Sequence, residues 1–230
     1  VSAGFFLMWY VAVEPLIRRI WPDALVTWVR LASGRINDPV VGRDLLIGVL
    51  AGLICNLILH ASVLCGEALG LPTEPWPSWW MNYLLDDFSS VSGVLCWLIR
   101  GTFICSCLLA LLVLLRAILR NGALAAIALV LFLAVVLVHR ETWQFDLVRE
   151  NLIWGVLTYM AIRFGFLSFI VAWTSRMLLN HFSLTLDTSH FYFYRAVPAL
   201  SVVLGTAFIG YYFTIGGRSG LRQIGLLPPR

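Results

Sequence analysis

The chain has 230 residues, 60% of them hydrophobic and only 12% charged, with a mean hydropathy of +0.89. Those values exclude a soluble globular domain and a disordered one alike, because neither carries so much apolar surface with so little charge. The sixteen cations are all arginine and outnumber twelve acids, giving a net charge of +4. They are scattered through short segments that suit anionic headgroups, and no basic stripe exists for nucleic acid to follow.

The apolar stretch Phe5 to Val13 is too short to cross a bilayer before Glu14-Pro15, which is expected to stop it. A secretory signal would need a basic start, which is absent. The expectation is a truncated first span and a chain that is the C-terminal portion of something longer. An Arg-rich segment follows, with Arg18, Arg19, Arg30, Arg35 and Arg43. Within it Leu25, Trp28, Val29 and Ala32 recur at i, i+3, i+4 and i+7, with Asp23 placed to cap and Gly34 to terminate a short amphipathic helix in the headgroup plane.

Five apolar runs then have the length of a membrane crossing: Leu45 to Cys65, Val91 to Leu115, Ala123 to His139, Leu152 to Trp173 and Ala196 to Phe213. Twenty-one helical residues rise roughly 31 Å, about the depth of the hydrocarbon core. Lipid cannot satisfy peptide groups, so each run is predicted to be a helix. Asp44 stands where the first full span needs an N-cap, and Asn121-Gly122 suits a tight turn between the second and third. Arginines in the first loop and acids in the second, which holds Glu67, Glu74, Asp86 and Asp87, place the first inside and the second outside. By alternation Arg140 to Asn151 falls outside, Arg176 to Arg195 inside, and the tail outside despite Arg218, Arg222 and Arg230.

The expected fold is all-α: a polytopic transmembrane helix bundle of about five full spans, with a truncated N-terminal span and one interfacial helix. Residues 1–44 form the first part, 45–215 the bundle and 216–230 the tail.

Arg163 lies midway in the fourth run and Arg100 within the second. A mid-bilayer arginine costs at least about 2.5–3.5 kcal/mol on insertion scales, so Arg163 should face the interior and find a partner. Asp44, Gly48, Gly52, Asn56 and His60 recur every fourth residue, a stripe of small and polar groups expected to point inward. Asn56 and His60 are the candidate partners for Arg163, with backbone carbonyls, a lipid headgroup, a bound anion or another subunit as the alternatives for Arg163 and Arg100, or His60 is the axial ligand of a metal-centred macrocycle. Structural arginines and a packing stripe satisfy the same pattern. The five cysteines, Cys55, Cys65, Cys96, Cys105 and Cys107, read as small packing residues, with no metal site completed around them. Ser183, Asp187 and His190 share a loop but lack the elbow and oxyanion site of a hydrolase.

Glu14-Pro15, Arg18-Arg19, Trp21-Pro22, Thr27-Trp28, Arg30-Leu31 with Gly34, and Asp38-Pro39 running to Gly42-Arg43-Asp44 occur in succession. This stretch, Tyr10 to Gly52, resembles the membrane region that follows the kinase domain in large Ser/Thr protein kinases of acidobacterial type, and the ending FTIGGRSGLRQIGLLPPR resembles their tails. The resemblance implies descent from that module. It does not imply its catalysis, which needs a lysine on the phosphates, and this chain has none. His139-Arg140-Glu141 and Asp87-Phe88-Ser89 depart from the kinase motifs they imitate. The expected function is a non-catalytic anchor, sensory or assembly module of a signalling protein in a bacterial inner membrane, partnered by lipid and an upstream kinase domain. The alternative is an accessory subunit of a larger complex carrying pigment or redox cofactors.

Overall fold

The computed structural model describes residues 11, 14–34, 38–70, 90–137, 143–181 and 193–215, and every element among them is helical. Residues 14–20 are helical, and all of the stretch Phe5 to Val13 but Val11 lies outside the described residues. A 3-10 turn, Pro22–Leu25, leads into α1, Val26–Ala32. The expected capping side chain of Asp23 lies outside what the structure describes, and the N-cap of α1 is Leu25, with no side-chain hydrogen bond. Gly34 does end it: with φ at 78°, left-handed backbone that glycine adopts without strain, its N–H returns 3.1 Å to the Leu31 carbonyl.

The bundle comprises α2 (Pro39–Ala68), α3 (Ser90–Leu119), α4 (Gly122–Leu137), α5 (Trp143–Arg163), α6 (Phe166–His181) and α7 (Phe193–Thr214). The cap of α2 belongs to Asp38, not Asp44: Asp38 Oδ1 accepts from Val40 N at 2.9 Å, and Pro39 supplies a fixed φ where no N–H is needed. Asp38 Oδ2 also takes Arg30 Nη1 at 2.7 Å, tying α1 to the base of α2. Asp44 sits a turn further in, fully buried and paired with Arg43 at 2.9 Å. Between α3 and α4 the left-handed residue is Arg120 (φ 53°), while Asn121 caps α4 by accepting from Ala123 N at 2.9 Å.

The largest departure from the sequence expectation is at Leu152 to Trp173, which is not one span. Phe164 and Gly165, the latter at φ 87°, reverse the chain, and α5 and α6 form an antiparallel hairpin in which Trp154 meets Trp173 with ring centroids 5.1 Å apart. Gly165 is required there twice over, since a Cβ on it would also stand 2.8 Å from the Ala24 carbonyl oxygen. The charged segment Arg140 to Asn151, expected as a loop, is helical from Trp143 onward.

Helix directions follow from the contacts. Along α2, Gly48 meets Ser168 and Val171 while Gly52 meets Ala172 and Ser175, so α2 and α6 run parallel. Gly42 meets Gly210 and Phe213, so α7 is antiparallel to α2 and ends where α2 begins. That end also gathers the 3-10 turn and α1: Trp28 packs edge-on to Phe166 at 5.4 Å, and the Arg116 guanidinium lies 4.4 Å from the Trp21 ring. Helix α6 is the innermost element, touching α2, α3, α5 and α7. Among the described residues, three helices are long and apolar enough to cross a membrane: Pro39–Ala68, Val91–Leu119 and Val197–Thr214.

Candidate functional site

The stripe on α2 points inward for four of its five members. Asp44, Gly48, Gly52 and Asn56 are buried; His60 is exposed, its Nδ1 held 2.8 Å from the Asn56 carbonyl one turn earlier. The glycines let α6 approach closely enough for a polar contact between helices, Asn56 Nδ2 donating to the Arg176 carbonyl at 3.1 Å and to its own Gly52 carbonyl at 3.2 Å.

The partner reached is therefore Arg176 and not Arg163. Arg163 is exposed in the last turn of α5, beside the reversal, and its expected interior position is overturned. That position suits it physically, because a cation is favoured at a helix C-terminus. Arg100 is likewise exposed, its guanidinium 5.4 Å from the ring of Trp97 on its own helix. Trp97 in turn meets the buried His181 ring at 3.9 Å.

Arg176 is the arginine that lies at mid-depth. It is 7% exposed and stands beside Gly52, which is about 20 Å of helix from one end of α2 and about 24 Å from the other. Its guanidinium lies 5.7 Å from the Trp173 ring, and Glu150 and Cys55 are within electrostatic reach. Glu150 is itself buried on α5 and joined to Arg149 at 3.2 Å, which also binds buried Asp146 at 3.0 Å. Two arginines and two carboxylates thus balance to zero in the half of the bundle away from α1. Such matching is what lets charges persist in a medium that penalises each alone.

Five buried polar atoms in this layer have no hydrogen-bond partner among the described residues: Asn56 Oδ1, Trp154 Nε1, Trp173 Nε1, Thr174 Oγ1 and Arg176 Nε. Trp173 Nε1 and Thr174 Oγ1 converge on a notch at Gly101 of α3, within 3.7 and 3.3 Å of where its Cβ would stand. Tryptophan and arginine nitrogens only donate, so the layer is rich in donors and fits an acceptor such as water.

No group of three metal-binding side chains occurs among the described residues. Cys55 and Cys105 are buried, and the Cys55 thiol lies 4.0 Å from the Ile153 carbonyl, a packing contact between α2 and α5. Ser183, Asp187, His190, His139 and Asp86-Asp87 lie outside the described residues. Sequence reasoning missed Arg176, Glu150 and Asp146 because the unbroken run from Leu152 to Trp173 pushed both ends into loops. The available signal was Gly165 two residues after Arg163, a helix-stop pattern inside an apolar stretch. No family model, curated protein or solved structure matches the chain.

Proposed function

We propose that this chain is a non-catalytic, multi-pass module of a bacterial inner membrane that anchors and helps assemble a signalling protein, with the Arg-rich end in the cytoplasm. The observation that carries the reading is the sorting of charge between the two ends of the bundle. At the end where α2 begins, Arg18, Arg19, Arg30, Arg43, Arg116, Arg120 and Arg163 outnumber Glu14, Asp23, Asp38 and Asp44 seven to four, whereas in the opposite half Arg100, Arg149 and Arg176 are matched by Glu67, Asp146 and Glu150, three to three. Positive charge retained on the cytoplasmic side accounts for that asymmetry. With α5 and α6 counted as separate crossings, the six bundle helices return the chain to its starting side. The segment carrying Arg218, Arg222 and Arg230 then joins the other arginines instead of opposing them.

On this reading the matched charges around Arg176 fix the register of α2, α5 and α6, and the cytoplasmic end presents the N-terminal segment to a soluble domain. The resemblance over Tyr10 to Gly52 supports a Ser/Thr kinase as that domain. His60 projects from the bundle and gives an interior cofactor no ligand from this position. Reading the coding sequence upstream of Val1 tests the assignment: a continuous frame encoding a kinase domain is expected, and a start codon immediately upstream would contradict it.

A further inference from the structure

Between α2 and α5 a groove of about 370 Å³ opens on the outside of the bundle, lined by Ile47, Leu50, Ile54, Gly155, Tyr159 and Met160 among others. Its walls are apolar, and it exists because Gly155 contributes no side chain: nothing stands within 4 Å of where its Cβ would be. Leu50, Ile54 and Tyr159 are exposed beside it. From Ile47 to Ile54 the groove follows about 10 Å of helix axis, some two-thirds of the roughly 15 Å depth of one leaflet.

At one end the apolar lining gives way to charge. Arg43 precedes Ile47 by one turn on α2, and Arg163 follows Met160 by three residues on α5, so each shares a face with a lining residue of its own helix. The Phe164 ring stands near both helices, 5.9 Å from the Arg43 guanidinium and 6.3 Å from the ring of Tyr159. Arg43 is half exposed and partly neutralised by Asp44; Arg163 is exposed and makes no ion pair among the described residues. If the 30 residues of α2, about 45 Å, are centred on a hydrocarbon core of about 30 Å, the boundary falls near Asp44. Both arginines then lie at headgroup level and the groove lies within the leaflet.

We propose that this groove and its two arginines form a binding site for one anionic phospholipid, an acyl chain filling the space against Gly155 and the phosphate engaging Arg163 and Arg43. The net charge of Arg43, Asp44 and Arg163 is +1, which a phosphodiester of charge −1 neutralises, and a guanidinium gives phosphate a two-pronged set of donors. The site explains why the exposed Arg163 stands beside an apolar hollow. It rests on the membrane reading above.

The full chain, purified in a mild detergent, is titrated with phosphatidylglycerol or with phosphatidylcholine of the same acyl chains, and bound lipid is counted by native mass spectrometry. One phosphatidylglycerol should bind about tenfold more tightly than phosphatidylcholine. Arg163→Gln should abolish that preference, and Gly155→Leu, which fills open space and raises helix propensity, should reduce occupancy by both lipids without loss of fold. Glycerol phosphate without chains should not compete; full competition would make this a free-anion site and overturn the lipid assignment. Equal binding of the two lipids, or an unaltered preference in Arg163→Gln, would also overturn it. So would a wild-type dimer that Gly155→Leu converts to monomer, since a second copy would then fill the groove. Any of these in a protein that needs detergent leaves the membrane reading standing, whereas a chain soluble and folded without detergent removes both.

Discussion

Replacing Gly52 by alanine isolates the contact on which the interior depends. A methyl group there would meet the Ser175 Cβ at 2.7 Å, the Ala172 carbonyl oxygen at 2.8 Å and the Arg176 nitrogen at 3.1 Å. Two of the three are backbone atoms, so relief requires α2 and α6 to separate, and overpacking of this kind costs up to about 3 kcal/mol. Separation also stretches the bond from Asn56 to the Arg176 carbonyl, a contact between membrane helices worth about 0.6 kcal/mol on average. Against this, alanine improves helix propensity by about 1 kcal/mol. The net expectation is a loss of roughly 2 kcal/mol, the overpacking term prevailing. Gly155→Ala is the internal control, because open space surrounds it and only the propensity gain of up to about 1 kcal/mol remains. Unfolding by sodium dodecyl sulfate in mixed micelles, followed by tryptophan fluorescence, should move the two midpoints in opposite directions. Shifts of the same sign and size would refute the close approach of α2 and α6 at Gly52.

Arg176→Met should destabilise by about 2 kcal/mol, less than the ~3–5 for breaking a directly bonded buried pair, because Arg149 still neutralises Glu150. A double-mutant cycle with Glu150→Gln in the same unfolding assay checks this, and zero coupling would mean that the two charges do not act together. Arg163→Leu, by contrast, should leave the unfolding midpoint within about 0.5 kcal/mol of wild type, as for other exposed positions. Gly165→Val should cost more than about 2 kcal/mol by combining a left-handed backbone with collision at the Ala24 carbonyl, and should speed proteolysis near the N-terminal segment. Asp38→Ala, removing the cap on Val40 and the Arg30 pair, should lower stability by about 1 kcal/mol, visible as faster amide exchange in the first turn of α2.

Periodicity carried much of the fold. The apolar runs of α2, α3 and α7 lie within helices long enough to cross, and the four-residue stripe led to the buried face of α2 because small and polar side chains at that spacing occupy one side of a helix. Helix ends were less legible: Asp44 and Asp38 both suit a cap, and only the backbone decides which residue stands outside the helix. The hairpin was hidden because Phe164 and Phe166 keep the hydropathy high across a reversal made by a single glycine. That one turn moved Arg163 from bilayer centre to a helix end and drew Arg176 and Glu150 from expected loops into the interior. The partner of Asn56 could not be identified before the turn was known, since contacts between helices depend on chain direction.

The reversal at Phe164-Gly165 is central to the account, and the side of the membrane reached by the C-terminus tests it most directly. In cells, green fluorescent protein and alkaline phosphatase are fused in turn after Arg230, with the cytoplasmic location of the Arg-rich segment fixed by a matching pair of fusions at Ser33. Six crossings predict a fluorescent C-terminal protein fusion and an inactive phosphatase. An active phosphatase with a dark fluorescent partner would mean that residues 152–173 cross once, and would contradict the hairpin, the placement of Arg176 and the lipid site together.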